Sequence, residues 1–87
     1  PKGIANNYQF QAVLGKLYWF GGSTAKSDEI WNKTIEDNQK NPYAYEFLSD
    51  LQLSMQLFEK SISTLKKSRT NMNLPNMFGN KIIKIYI

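Results

Sequence analysis

The chain contains neither cysteine nor histidine. Those two absences remove disulfides, thiolate zinc sites, cysteine nucleophiles and imidazole acid–base chemistry together. They leave the redox compartment open, because a chain without cysteine suits either side of a membrane. No apolar run approaches the roughly 20 residues that a membrane-spanning helix needs. The first residues, PKGIANN, lack the basic, apolar and small-residue regions of a secretory leader. The expectation is a cytoplasmic or otherwise intracellular chain with no membrane span. Pro1 and the apolar end at Ile87 are compatible with the edges of a longer protein.

Catalytic groupings are scarce as well. Asp28-Glu29 and Glu36-Asp37 are adjacent in sequence and so diverge around a helix instead of converging as an acid–base pair. No strand-to-helix serine motif is present, and Gly21-Gly22 lacks the spacing of a phosphate-binding loop. With no nucleophile set beside a base, the expectation is a protein that is not an enzyme, with no catalytic residue, metal site or cofactor. Asn32-Lys33-Thr34 has the form of a glycosylation sequon. It falls inside a predicted helix, where an ordinary surface triplet is the simpler reading.

What is present suits one small domain spanning 1–87. Hydrophobic residues make up 41%, with two Trp, five Tyr and five Phe, which is enough for a packed core. At 87 residues that core is small and its stability marginal. Charge is uneven: residues 1–59 hold five Lys against seven acids, for −2, and residues 60–87 hold five Lys and one Arg with no acid, for +6. One reading of the basic end is a surface for an acidic partner. A plainer account is that Lys66, Lys67 and Arg69 sit near a helix C-terminus, where cations favour the macrodipole.

Hydrophobic spacing predicts helices through most of the chain. In residues 8–20, Phe10, Val13, Leu14, Leu17 and Tyr18 recur at helical intervals on one face. The alternation of Tyr8, Phe10, Ala12 and Leu14 would suit a strand, but Lys16 and Leu17 break it. Gly21 and Gly22 then end the helix as C-terminal glycines do. A second helix is predicted over 27–40, capped by Ser27, with Asp28 and Glu29 in its first turn and a buried stripe of Ile30, Trp31, Thr34 and Ile35. Asn41-Pro42 starts a third. From there Ala44, Leu48, Leu51, Met55, Phe58, Ile62 and Leu65 repeat at spacings of four and three, so local pattern predicts one unbroken helix over 43–70. Residues 71–76 are a break, and the KIIKIYI end has the propensity of a strand.

A longer period changes that picture. Displacing the sequence by 34 residues sets Asn7 on Asn41, Leu14 on Leu48, Leu17 on Leu51, Lys26 on Lys60, Ser27 on Ser61, Trp31 on Leu65, Lys33 on Lys67 and Thr34 on Ser68, without a gap. It also sets Leu48 on Ile82 and Leu51 on Ile85. Small residues fall on small and apolar on apolar, as stacked helix pairs need where small side chains face large ones.

This period resembles the tetratricopeptide repeat. Leu14-Gly15, Tyr18, Gly22, Ser27, Trp31 and Pro42 match the family's pattern in a first unit, with Gln11 where a large residue is usual. Tyr45, Leu48, Ser49, Ser61, Leu65, Ser68 and Pro75 match it in a second. There Gln52 replaces the tyrosine and Gln56 the turn glycine. Ile82, Ile83 and Tyr86 match part of a third. The resemblance covers about residues 8–87. It implies an all-α fold of stacked antiparallel helix pairs, about five helices in units 8–41, 42–75 and a partial unit 76–87. It also implies a turn near Met55–Leu57 and a helix, not a strand, at 77–87, despite the cost of Gly79 there.

In that family the first helices of successive units line a concave groove that holds a peptide or helix of a partner protein. Carried over, the groove residues are Gln9, Lys16 and Trp19, then Tyr43, Glu46, Phe47 and Asp50, then Lys81 and Lys84. Glu46 and Asp50 would repel a C-terminal carboxylate, so a segment of mixed charge is expected. Trp19 and Phe47 are equally readable as packing between units. The incomplete third unit leaves apolar surface, which implies a homo-oligomer through the C-terminal end or a place in a larger assembly. The alternative is a small basic nucleic-acid-binding protein, with Lys16, Tyr18, Trp19 and Phe20 as its mixed aromatic and basic patch.

Overall fold

The computed structural model describes residues 7–72, which form four α-helices and no strand: α1 (Tyr8–Phe20), α2 (Thr24–Asp37), α3 (Pro42–Ser54) and α4 (Phe58–Met72). All-α architecture is therefore as expected, with four helices where about five were expected. The helix expected at 77–87 lies outside the described residues. The bounds of α1 and α3 lie 34 residues apart at both ends, and α2 and α4 begin 34 apart.

The same chemistry marks corresponding boundaries. Asn7 Oδ1 accepts from the amides of Gln9 (2.7 Å) and Phe10 (3.2 Å), and Asn41 Oδ1 accepts from Tyr43 (3.0 Å), with Pro42 in the first turn where its missing N–H costs nothing. Each hairpin turns through one left-handed residue, Gly22 (φ 90°) and Gln56 (φ 63°). The next amide then reaches back: Ser23 N–H donates to Tyr18 O and Leu57 N–H to Gln52 O, both at 2.9 Å. That is the Schellman closure, which satisfies carbonyls a helix end leaves open. The turn at 55–57 thus interrupts the helix that local pattern predicts over 43–70. The apolar seam runs on across it because both helices use that seam for packing.

α1 and α2 form one antiparallel hairpin and α3 and α4 another. α3 packs against α1 and α2 as well as α4, whereas the backbone of α4 approaches α3 alone. The core cluster is Ala12, Trp31, Ile35, Tyr45 and Leu48, and Ala44, Ile62 and Leu65 are buried beside it. Full burial of a Leu such as Leu48 or Leu65 contributes about 1.5–3 kcal/mol. The base of the second hairpin is tied to the connecting loop: Tyr45 Oη donates to Gln39 O (2.8 Å) and accepts from Asn71 Nδ2 (3.0 Å), while Lys40 Nζ donates to Asn71 O (2.6 Å).

Small residues let the helices approach. Gly15 is buried beneath the Trp31 indole, and a Cβ there would meet Trp31 Cδ1 at 2.6 Å. Trp31 Nε1 donates to Ala12 O at 2.9 Å across the same contact. Ser27, Thr34, Ser49, Ser61, Thr64 and Ser68 are buried. Thr34 Oγ1 donates to Ile30 O (2.8 Å) within α2.

Two predicted features are corrected. α2 begins at Thr24, not at Ser27, and ends at Asp37, not at 40. Ser27 is buried a turn inside the helix, and Ser23 stands at the position before it. In α1 the predicted apolar face is turned outward: Phe10, Val13, Leu17 and Tyr18 are exposed, and the covered half carries Ala12 and Gly15. Close approach to Trp31 requires the glycine side to face inward.

Ser27 and Ser61 correspond in position but differ in bonding. Ser61 Oγ donates to Ser49 O at 2.8 Å, whereas the buried Ser27 Oγ has no hydrogen-bond partner among the described residues. Ser61→Ala is therefore expected to lower stability by about 1 kcal/mol, and Ser27→Ala to leave it unchanged or raise it by up to about 1 kcal/mol. Urea-unfolding midpoints of the two variants check this. Equal losses would contradict the described difference.

Candidate partner-binding surface

α3 positions the central part of the expected groove. Tyr43, Glu46, Phe47 and Asp50 occupy helical offsets 0, 3, 4 and 7, so the Asn41 cap and Pro42 that start the helix also set this face. Tyr43 is 68% exposed, an unusual setting for a large aromatic side chain, and Glu46 and Asp50 are exposed beside it. Phe47 is half-buried. It packs against the core and meets Tyr8 of α1 edge-on, with ring centroids 6.0 Å apart and planes at 72°. That contact fixes α1 against α3 along this side.

α1 contributes Lys16, half-buried, at the position equivalent to Asp50, with Gln9 exposed at the position equivalent to Tyr43. Trp19 belongs to a different environment. Its ring stacks on Trp31 at 5.9 Å with planes 21° apart, and Lys60 Nζ lies 5.2 Å from its centroid. Lys60 also pairs with Asp28 Oδ1 at 2.8 Å. Trp19 is thus tied into the packing of α1, α2 and α4. Lys81 and Lys84 lie outside the described residues. The structure therefore brings Tyr43, Glu46, Phe47 and Asp50 together on α3 and sets Trp19 among the packing residues.

Two features escaped sequence reasoning. The first is the bridge across the cleft between α2 and α4, made by Lys60 to Asp28 and by Lys67 Nζ to Asn32 Oδ1 at 3.2 Å. Its signal was the charge split itself, an acidic first half meeting a basic second half. The second is the exposed half of α1, with Phe10, Val13, Leu17 and Phe20. Gly15 was its signal, since a small residue opposite a tryptophan marks the packing side.

Among the described residues no three His, Cys, Asp or Glu side chains gather to hold a metal, and no helix is long and apolar enough to cross a membrane. Comparison with protein-family models, with curated protein sequences and with solved structures found no match.

Proposed function

We propose that this chain is a protein-interaction module whose helix pairs stack in the manner of tetratricopeptide repeats. In this reading the α3 face of Tyr43, Glu46 and Asp50, with Lys16 of α1, receives a peptide or helix of a partner protein. The fold reading is supported by the 34-residue recurrence of helix bounds, asparagine caps and left-handed turns. The observation that carries the functional reading is the exposed tyrosine flanked by two exposed acids on one rigid helix face.

The physical roles differ. Tyr43 offers amphipathic contact area with few rotatable bonds, the kind of side chain that dominates interface energies. Glu46 and Asp50 select for basic groups on the partner and speed its approach, while Lys16 pairs with an acid, so the favoured segment has mixed charge. Phe47 supports this face from within by its contact with Tyr8. The nucleic-acid alternative has less support, because Trp19 of its aromatic and basic patch is engaged by Trp31 and Lys60.

Affinity capture with the wild-type chain and with a Glu46→Lys/Asp50→Lys variant tests the proposal. The variant is expected to keep its helical circular dichroism and to lose at least tenfold in retention of the captured partner, since two charge reversals at one interface exceed the roughly 1.4 kcal/mol that a factor of ten requires. Undiminished capture by the variant would remove this face as the site. Retention of random-sequence DNA at low salt, falling steeply as salt rises, would favour the alternative instead.

A further inference from the structure

α2 and α4 both pack on α3, but their backbones do not approach each other. Between them lies a cavity of about 250 Å³. Its deep side includes Trp31 of α2 and Leu48 of α3, both almost fully buried. Its flanks are polar. Asp28 and Asn32 stand one turn apart on α2, and Lys60, Thr64 and Lys67 follow at offsets 0, 4 and 7 on one face of α4.

Gln52 is the residue that packing alone does not explain. It lines this cavity and is only 3% exposed. Its Oε1 accepts from Thr64 Oγ1 at 2.7 Å. Thr64 Oγ1 also lies 3.0 Å from Lys60 O, but a hydroxyl has one proton and the contact with Gln52 is the shorter. That bond turns the amide so that its oxygen is used and its two N–H donors are not, since no described residue accepts from Nε2. Buried donors of this kind call for an acceptor. The fold itself does not require the pair. The positions 34 residues earlier hold Tyr18 and Ile30, so the polar couple belongs to the second hairpin alone.

The charges around the cavity set what the acceptor is. Lys60 Nζ bonds Asp28 Oδ1 at 2.8 Å, and Lys67 Nζ bonds Asn32 Oδ1 at 3.2 Å. Each ammonium has three donors, so one bond apiece leaves others for a guest. Asp28 balances one of the two lysines, and Asn32 is neutral. The cavity therefore lacks one negative charge. From these observations we infer that the cavity between α2 and α4 is a binding site for a small organic carboxylate. Its oxygens accept from the Gln52 amide and from the lysines, and its apolar part lies against Trp31 and Leu48. A carboxylate supplies the single charge, whereas a phosphate group carries closer to two. The site is separate from the α3 face of Tyr43, Glu46 and Asp50, none of which lines it.

Titration of the full 87-residue chain with butyrate, and separately with inorganic phosphate at matched ionic strength, tests this by NMR. The side-chain amide of Gln52 and the indole N–H of Trp31 are the signals to follow. Butyrate is expected to shift both to saturation with a dissociation constant on the order of millimolar, and to bind more tightly than phosphate. Gln52→Leu removes the buried donor at similar bulk and should weaken butyrate at least tenfold. Lys67→Gln should weaken it roughly threefold, as loss of an exposed charge does. Lys67 is exposed, so that variant keeps its fold and decides the matter should Gln52→Leu not. Shifts that stay linear in butyrate up to about 100 mM would overturn the inference. So would binding that neither substitution weakens. Tighter binding of phosphate at the same two signals would overturn the carboxylate assignment in favour of a phosphate group.

Discussion

Truncation of Trp31 to alanine is expected to cost about 3–5 kcal/mol, as for other large buried aromatic residues. A small domain has only about 5 kcal/mol or somewhat more to lose, so the variant should be largely unfolded at ambient temperature. Trp31 is 2% exposed and lies in the core cluster shared by the two hairpins. It covers Gly15, stacks on Trp19 and donates its indole N–H to Ala12 O. Removing it empties the junction of both hairpins at once. Urea unfolding followed by circular dichroism measures the loss. Trp31→Phe separates the contributions, since it keeps an aromatic ring and forfeits mainly the hydrogen bond, about 1 kcal/mol. A wild-type midpoint for Trp31→Ala would mean that the indole does not join the hairpins.

The second large effect is expected at the residue beneath that ring. Gly15→Leu should destabilise by about 3 kcal/mol, near the top of the usual range for overpacking, because any Cβ at this position overlaps the indole. Helix propensity acts the other way, by about 1 kcal/mol in favour of leucine, and the steric term exceeds it. The second hairpin shows how the conflict is relieved. The positions equivalent to Gly15 and Trp31 are Ser49 and Leu65, both fully buried, so a larger small residue accompanies a smaller large one. Gly15→Ser should therefore be costly with Trp31 present and much less so in a Trp31→Leu background. A coupling of about 1–2 kcal/mol is expected from residues in direct contact, measured as a double-mutant cycle of unfolding free energies. Strict additivity would show that the two positions do not share a packing contact.

This pair also explains what the sequence made legible. Helix type was readable from spacing, and the start of α3 from Asn41 and Pro42. The turn at 55–57 was visible only through the 34-residue period. Gln56 takes a left-handed conformation that glycine signals and glutamine does not, and Leu51, Met55 and Phe58 continue the seam across the break. Ser27 imitated a cap because serine suits both a helix start and a close helix contact, and only the neighbouring helix decides between them. The inverted polarity of α1 escaped for the opposite reason. Counting apolar residues finds a face, but which face turns inward was decided by Gly15.

For the candidate surface, position was more legible than role. The period placed Tyr43, Glu46, Phe47 and Asp50 on one side of α3. It could not divide them into the exposed tyrosine and acids and the half-buried phenylalanine held against Tyr8, because that division depends on a contact between helices far apart in sequence. Trp19 shows the same limit. An aromatic residue at a groove position is engaged by Trp31 and Lys60, two partners that spacing along one helix cannot reveal.

Both tryptophans of the chain belong to the first hairpin, where they stack on each other, and the second hairpin has none. Indole emission consequently reports on the first hairpin and on the junction where Trp31 meets Tyr45 and Leu48 of the second, while far-ultraviolet dichroism averages over all of the helices. Coincident melting curves from the two signals mean that the halves unfold as one cooperative unit, and displaced curves mean that they do not. The protein thus carries, without added label, the optical means of asking whether its two hairpins behave as one body.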